Sequence, residues 1–445
     1  MAIHPIEYRY GTAEMKTVWG EDTKLKKMLE VEVALAKAEA DLGMIPKEAS
    51  EAINSGTRNV SVERVKEIED EISHDIMAVV LALSEQSKEY GEWVHFGATS
   101  NDIIDTSTAL LFKDVITIIE GKLMRLRSVL VDQADSHKRT VCAGRTHGQI
   151  GIPTTYGLRF AIWAEEVQRH ITRLTELKPR ILVGKMAGAT GTQASFGDVG
   201  IEVEERTMNY LGLGVAEVSN QIIQRDRHLE FVMFMANVAT TLDKICIEVR
   251  TLQRTEIGEV QEFFGSKQVG SSTMPHKRNP IKSEQVCGLA RIIRSQVEAE
   301  FQNNTLWDER DLTNSSPERM IFPESCILTD HIVGLCANVI SNLRFYPENI
   351  EKNMLLLGGL NMAEAVMMQL AREGLGRQKS HELCRDCAMR SREEGKDFLD
   401  VLAEDKVISK YLSRDELEKL LDPHNYIGTA VQKVDMVVER LKGGN

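Results

Sequence analysis

Proline is scarce in this chain, and its spacing is uneven. Ten prolines serve 445 residues, with none between Pro46 and Pro153 and none between Pro179 and Pro275. Proline removes a backbone donor and clashes with the preceding turn, so spans free of it admit long helices. Aromatic residues make up only 5% of the chain, and alternating Val/Ile/Thr runs are few. That leaves little material for sheet. There is no uninterrupted apolar run of the roughly 18 residues that a membrane-crossing helix requires. The opening MAIHPIEYRYG lacks the apolar core of a secretory leader. The seven cysteines are odd in number and scattered. They form no disulfide framework, and a reducing cytoplasm is the expected location. Positive charge is also in deficit, 54 Lys and Arg against 67 Asp and Glu, for a net charge of −13. This excludes a general nucleic-acid or anionic-membrane binder but not a locally basic pocket for a small anion.

What is present is helical periodicity. Val115, Ile119, Leu123, Leu126 and Leu130 recur at steps of three and four residues. Leu229, Val232, Met233, Ala236, Leu242, Cys246 and Val249 do the same. These are apolar stripes of amphipathic helices. Polar breaks interrupt the pattern near residues 91–101, 143–153, 184–200, 265–280 and 303–317. The blocks between them are long enough for a tall bundle, while the chain beyond about residue 350 is charged and helical in shorter pieces. The expected architecture is all-α, with three helical domains: an N-terminal one over 1–100, a central long-helix bundle over 101–350, and a C-terminal one over 351–445.

The breaks hold the chemistry. His95–Asp102, HFGATSND, joins a glycine that lets backbone approach closely to the hydroxyls Thr99 and Ser100, with Asn101 or Asp102 available to cap the next helix. Gly144–Pro153, GRTHGQIGIP, sets His147 beside glycines and Thr146. Residues 270–280, GSSTMPHKRNP, cannot continue a helix. With hydroxyls and the cations Lys277 and Arg278, they suit a loop that closes on an anion. Trp307–Arg319 holds Arg310, Ser315 and Arg319, a set suited to phosphate or carboxylate. His381, Cys384 and Cys387 stand at i, i+3 and i+6, which spreads them over more than one helix face. No metal site and no cofactor are expected. Met362, Met367 and Met368 read as core filling.

The segment GSSTMPHKRNP resembles the signature of the fumarase/aspartase superfamily, GSSxMPxKxNP, at all eight of its fixed positions. The resemblance runs along nearly the whole chain. It includes RYGTAEM (9–15), His74-Asp75, HFGATSNDIIDT (95–106), GRTHGQ (144–149), QRDRH (224–228), ERDLTNSSPER (309–319) and LDPHNYIGTA (421–430). Within the superfamily the chain is most similar to the lyases that release fumarate from succinylated, phosphorylated purine intermediates. The resemblance implies Ser271 as general base and His147 as general acid, with His74 assisting the acid and Glu284 positioning His147. It implies Lys277, Thr99, Ser100 and Gln221 on substrate carboxylate, with His95, Thr146 and Asn279 also lining the site. Arg9, Tyr10, Arg310, Ser315 and Arg319 would hold the phosphate end. Phe96 stands where relatives often carry tyrosine. The implied assembly is a homotetramer in which different subunits supply one site, acting on a small molecule.

The implied reaction explains why such groups are needed. A weakly acidic C–H beside a carboxylate must lose its proton, and the charge spreads onto that carboxylate as a doubly charged aci-form. Lys277 and loop N–H groups can stabilise it. A serine hydroxyl is a poor base unless nearby cations and N–H donors favour its alkoxide. Histidine suits delivery of the proton to the departing nitrogen. Argininosuccinate lyase and carboxymuconate cycloisomerase are rival branches, and the arginines at 310 and 319 favour a phosphorylated substrate over both. A non-catalytic, crystallin-like scaffold is the rival of another class; Ser271, Lys277 and His147 argue against it.

Overall fold

The computed structural model describes residues 3–265, 267 and 270–443. Long helices dominate: Ser100–Ser136, Tyr156–Ile181, Asp226–Leu252, Ile281–Asn303 and Ser315–Ser341. The first has 37 residues, a rod of roughly 55 Å. Ser100–Ser136 and Asp226–Leu252 fall in the two long proline-free spans; Ile281–Asn303 begins directly after Pro280, Pro179 lies near the end of Tyr156–Ile181, and Ser315–Ser341 carries Pro317 in its first turn and Pro323 further in. Past Pro347 the helices shorten, as in Arg377–Glu394, Phe398–Glu404, Arg414–Leu421 and Ala430–Gly443.

The chain divides into two compact units. The first comprises residues 1–124, 169–242 and 287–334; the second comprises 125–168, 243–286 and 335–445. In the first unit, Val31 and Leu35 of the helix Glu21–Asp41 pack with Ile103, Leu110, Met186, Phe196 and Met208. In the second, Val366, Leu370, Phe398, Val401, Leu402 and Leu417 form a separate core that includes Cys384 and Cys387. Both thiols are buried, which pushes them up to about 12 and about 11. His381 on the same helix is exposed, so these three residues do not converge, as their spacing requires.

The apolar stripes face inward. Val115, Ile119, Leu123, Leu126 and Leu130 are fully buried or nearly so. Met233 is the exception in the second stripe and is 45% exposed. Its neighbour Val232 takes the inward direction, and two adjacent residues lie about 100° apart around a helix. The helix Ser315–Ser341 is long and apolar enough to cross a membrane by length and composition, yet the protein itself buries most of it.

Sheet is confined to short pairs among the described residues. The one substantial pair joins Val141–Thr146 to Gln149–Thr155, antiparallel, with an irregularity between Ala143 and Arg145. The low aromatic content and the scarcity of alternating Val/Ile/Thr runs limit sheet but do not forbid a single hairpin where a turn sequence permits it.

Candidate active site

The second unit presents His147 at the tip of that hairpin. Thr146 pairs with Gln149, so His147 and Gly148 are the two turn residues. Both have positive φ, 54° and 74°, the combination of the tight turn that matches strand twist. A histidine in the left-handed region costs roughly 1–3 kcal/mol and is kept where structure demands it. The hairpin base is held from within. Glu259, fully buried, accepts from Arg145 at 2.5 Å, from Asn353 at 3.0 Å and from the Tyr156 hydroxyl.

The signature loop closes on itself in the same unit. A Cβ on Gly270 would lie 2.0 Å from the Lys277 carbonyl oxygen, so no larger residue fits there without moving backbone. The Asn279 amide donates to the Gly270 carbonyl at 2.9 Å. Inside the loop the Ser271 hydroxyl oxygen accepts from the backbone N–H of Met274 at 3.0 Å and of Thr273 at 3.3 Å. Two donors on one oxygen favour its deprotonated form. Buried Glu262 then caps the following helix, accepting from Ser283 N–H at 2.7 Å and Lys282 N–H at 3.2 Å. Glu284 lies in that helix's first turn and is exposed, as is His147. No hydrogen bond joins the two among the described residues.

The first unit gathers a different set. His74 caps the helix Asp75–Gln86, its Nδ1 accepting from Met77 N–H at 3.3 Å. That bond leaves the ring proton of neutral His74 on Nε2, free to be given. Asp75 Oδ2 lies 2.6 Å from Arg319 Nη2. Ser315 opens the helix Ser315–Ser341 and Arg319 follows one turn later, so a hydroxyl and a guanidinium lie within the first turns of a helix whose N-terminal end is positive. Arg310 donates to Gln221 at 3.3 Å, a pairing the sequence does not announce. A cavity of about 350 Å³ is lined by Lys24, Asp75, Asn101, Arg310, Ser315 and Arg319, among others. Arg225, which also lines it, is almost wholly buried and ion-paired to Asp105 at 2.9 Å and to Glu318 at 2.7 Å. His228, Glu300 and Glu318 place ligand-type atoms within 4.8 Å of one another in that buried layer. Arg225 and the Asn314 amide already engage Glu318. Burial, then the neighbouring Glu318 charge, pushes Glu300 up to about 8. Burial and Arg225 press His228 down to about 3, so the imidazole is neutral.

The HFGATSND segment enters the 37-residue helix through Thr99, whose N–H donates to Asp102 at 2.9 Å. Asp102 does more than cap. Fully buried, it pairs with buried Lys185 at 2.5 Å and accepts from Ala187 N–H at 2.9 Å and Gly188 N–H at 3.1 Å. Thr99 and Ser100 are thereby fixed at the helix start. Near the N-terminus, Arg9 lies over the Tyr10 ring at 5.9 Å and Tyr10 packs on His331 at 5.7 Å. Thr12 anchors this segment to buried Asp330 at 2.6 Å, an aspartate that Lys122 also pairs.

Sequence reasoning named candidate groups at exposed and half-buried positions and did not name the buried residues that pair beside several of them, Lys185, Asp105, Glu318 and Glu259. Lys185 had a signal, since it is a lone lysine in the glycine-bearing break 184–200. Arg225 stood inside the quoted QRDRH without a role.

Residues 7–294 match the family described as Lyase, and residues 359–437 match the one described as adenylosuccinate lyase C-terminus. The chain is 55% identical to an adenylosuccinate lyase from Methanocaldococcus jannaschii, covering 99% of this chain and 96% of that one. It is 56% identical to one from Pyrococcus abyssi, covering 98% of each. Among solved structures it is similar to a 3-carboxy-cis,cis-muconate lactonizing enzyme from Pseudomonas putida, with a TM-score of 0.90, 32% identity and 99% of each chain covered. A fumarate lyase from Mesorhizobium sp. BNC1 gives a TM-score of 0.89 at 31% identity, covering 98% of each.

Proposed function

The chain belongs to the adenylosuccinate lyase family, a fumarase/aspartase-type lyase by fold and sequence, and on that premise we propose how its residues carry the reaction. The substrates are adenylosuccinate, giving AMP, and the succinylated imidazole-carboxamide ribotide of purine synthesis; each loses fumarate by anti elimination. One observation carries the choice of substrate. Identity exceeds half of all positions to relatives bearing the adenylosuccinate lyase name and is 32% to the lactonizing enzyme. The arginines and Ser315 at a helix N-terminus supply the phosphate chemistry that a lactone or an argininosuccinate does not need.

In this reading Ser271 takes the Cβ proton of the succinyl group. Its oxygen already receives the Thr273 and Met274 N–H groups, which offset part of the cost of forming an alkoxide. Lys277, on the same loop, meets the carboxylate on which charge grows, together with Thr99, Ser100 and Gln221. His147 protonates the departing nitrogen, and His74 assists through Nε2–H. Arg9, Tyr10, Arg310, Ser315 and Arg319 hold the phosphate; His95, Thr146, Asn279 and Glu284 complete the surroundings. Base and acid stand on separate loops, which suits attack from opposite faces of the substrate.

The assembly we propose is a homotetramer in the cytoplasm, with different subunits contributing the groups of one site, so that Ser271 and His147 of a site come from different chains. Exposed apolar side chains on the long helices support it: Met233, Ile247, Ile292, Phe301 and Met320 are all more than 40% exposed. Apolar side chains at that exposure on helices gain by self-association. The substrate assignment is tested by following the absorbance change with adenylosuccinate, argininosuccinate and carboxymuconate in parallel. Turnover of the first alone is expected; turnover of either of the others without the first overturns the assignment.

A further inference from the structure

We propose that Glu32 is a positioning residue that holds His95 as an imidazolium, so that its second N–H is presented as a fixed cationic donor to an anionic substrate group. The inference rests on the site reading above, which includes His95. Its basis is a buried acid–imidazole pair that the reaction scheme leaves unexplained. His95 Nδ1 lies 2.7 Å from Glu32 Oε1, and the two side chains are 11% and 1% exposed. Glu32 sits in the middle of the helix Glu21–Asp41, 63 positions from its partner in sequence.

The surroundings set the charge state. Glu39 follows Glu32 by two helical turns and is fully buried, and among the described residues neither of its carboxylate oxygens has a hydrogen-bond partner. The second oxygen of Glu32 has none either. A buried carboxylate without a hydrogen-bond partner carries a large desolvation cost when ionised. Burial and the charge on Glu32 push Glu39 up to about 9, so Glu39 keeps its proton at neutral pH. The charged partner within hydrogen-bond distance of Glu32 is His95. Burial alone would pull His95 down, but Glu32 outweighs it, with Asp102 adding in the same sense, and the imidazole is held above its ordinary range. Asp102 is itself neutralised by Lys185. With Nδ1–H given to Glu32, Nε2–H is the donor that remains.

Backbone geometry points the same way. His95 has φ of 63°, a left-handed conformation for a non-glycine residue. Gly97 follows with φ of 73°, and a Cβ there would come within 2.7 Å of the Phe196 ring. A left-handed histidine costs roughly 1–3 kcal/mol and persists only where its surroundings hold it.

The test is Glu32→Gln, which keeps shape and removes charge, beside Glu32→Asp and His95→Ala. Imidazole 15N NMR on histidine-labelled protein, assigned with His95→Ala, reads the protonation of His95 directly, and kcat/KM is followed against pH. In Glu32→Gln, His95 should titrate at lower pH than in the parent. At neutral pH kcat/KM should fall about 10- to 100-fold, the worth of a hydrogen bond to a charged group, and recover as the pH is lowered and the imidazole regains its proton. Glu32→Asp should lie between. A merely structural glutamate would give a loss that acid does not restore, and that result, or an unchanged His95 titration, overturns the proposal. Should Glu32→Gln fail to fold, Glu32→Asp decides on the same titration. If His95→Ala leaves kcat/KM intact, the site assignment of His95 falls, while the NMR titration still judges the pairing with Glu32.

Discussion

Arg319 Nη2 lies 2.6 Å from Asp75 Oδ2, and Asp75 adjoins the capping residue His74. The guanidinium that a phosphate would seek is thus already held by an internal anion. The pair is well exposed, Arg319 at 65% and Asp75 at 37%, so it is worth at most about 1 kcal/mol. A doubly charged phosphate at a helix N-terminus outcompetes it readily. Arg319→Ala should therefore act chiefly on binding, with KM raised roughly 10- to 100-fold and a smaller fall in kcat. Steady-state kinetics with adenylosuccinate checks it; a collapse of kcat at unchanged KM would show that Arg319 acts on the chemical step.

Gly270→Ala is expected to be more damaging than its size suggests. The added methyl would meet the Lys277 carbonyl at 2.0 Å, so the loop must open and separate Ser271 from Lys277. Because the loop is exposed at the surface of its unit, melting temperature should change little while kcat falls by at least about tenfold. Equal kcat in the two proteins would show that loop closure does not set the reaction geometry.

Stability should fall as pH rises toward the alkaline side. Glu39 and Glu300 are pushed up to about 9 and about 8, by burial first and by Glu32 and Glu318 respectively. An unfolded glutamate titrates near about 4.3. Between that value and 8 to 9 the native chain therefore holds more protons than the unfolded one, and unfolding free energy decreases as pH increases. The contribution is fully present below about 4.3 and is lost once the pH passes the folded values. Thermal melts from pH 5 to pH 10 should show this decline, and Glu39→Gln with Glu300→Gln should flatten it by on the order of 1 kcal/mol or more per site. A melting temperature that climbs through this range would contradict the assignment.

Much of the candidate site was legible because its groups lie in irregular, glycine-bearing breaks between long helices. Gly270, Ser271, Lys277 and Asn279 form one closed loop from eleven consecutive residues, so local sequence holds the whole device. His147 was legible for a similar reason, since a His-Gly pair can adopt two positive φ angles in a row. What sequence could not disclose is pairing at a distance. Glu32 reads as an ordinary helical glutamate until His95 is set against it, and Lys185, although the lone lysine of its break, has no visible partner in sequence until Asp102 is found 83 positions away. The exposure of Met233 was hidden for a different reason. Helical periodicity gives the apolar face of a helix but not whether the chain itself or a second copy covers all of it.

The proposed sharing of sites predicts complementation. Ser271→Ala and His147→Ala chains, each inactive alone, should regain part of the parental activity when unfolded together and reassembled. Hybrid tetramers would then contain sites whose base and acid are both intact. Reassembly of mixed tetramers without any gain would argue that one chain supplies both groups.

The central claim is that Ser271 performs the proton abstraction, with its hydroxyl oxygen readied by the Thr273 and Met274 N–H groups. The most direct measurement is Ser271→Ala, with kcat on adenylosuccinate set beside calorimetric binding of the same substrate. The account predicts binding close to parental and kcat lower by roughly 10² to 10⁴, the worth of a positioned base acting in the transition state. A near-parental kcat would place the base elsewhere, with His147 or Ser272 next in line, and would contradict the account.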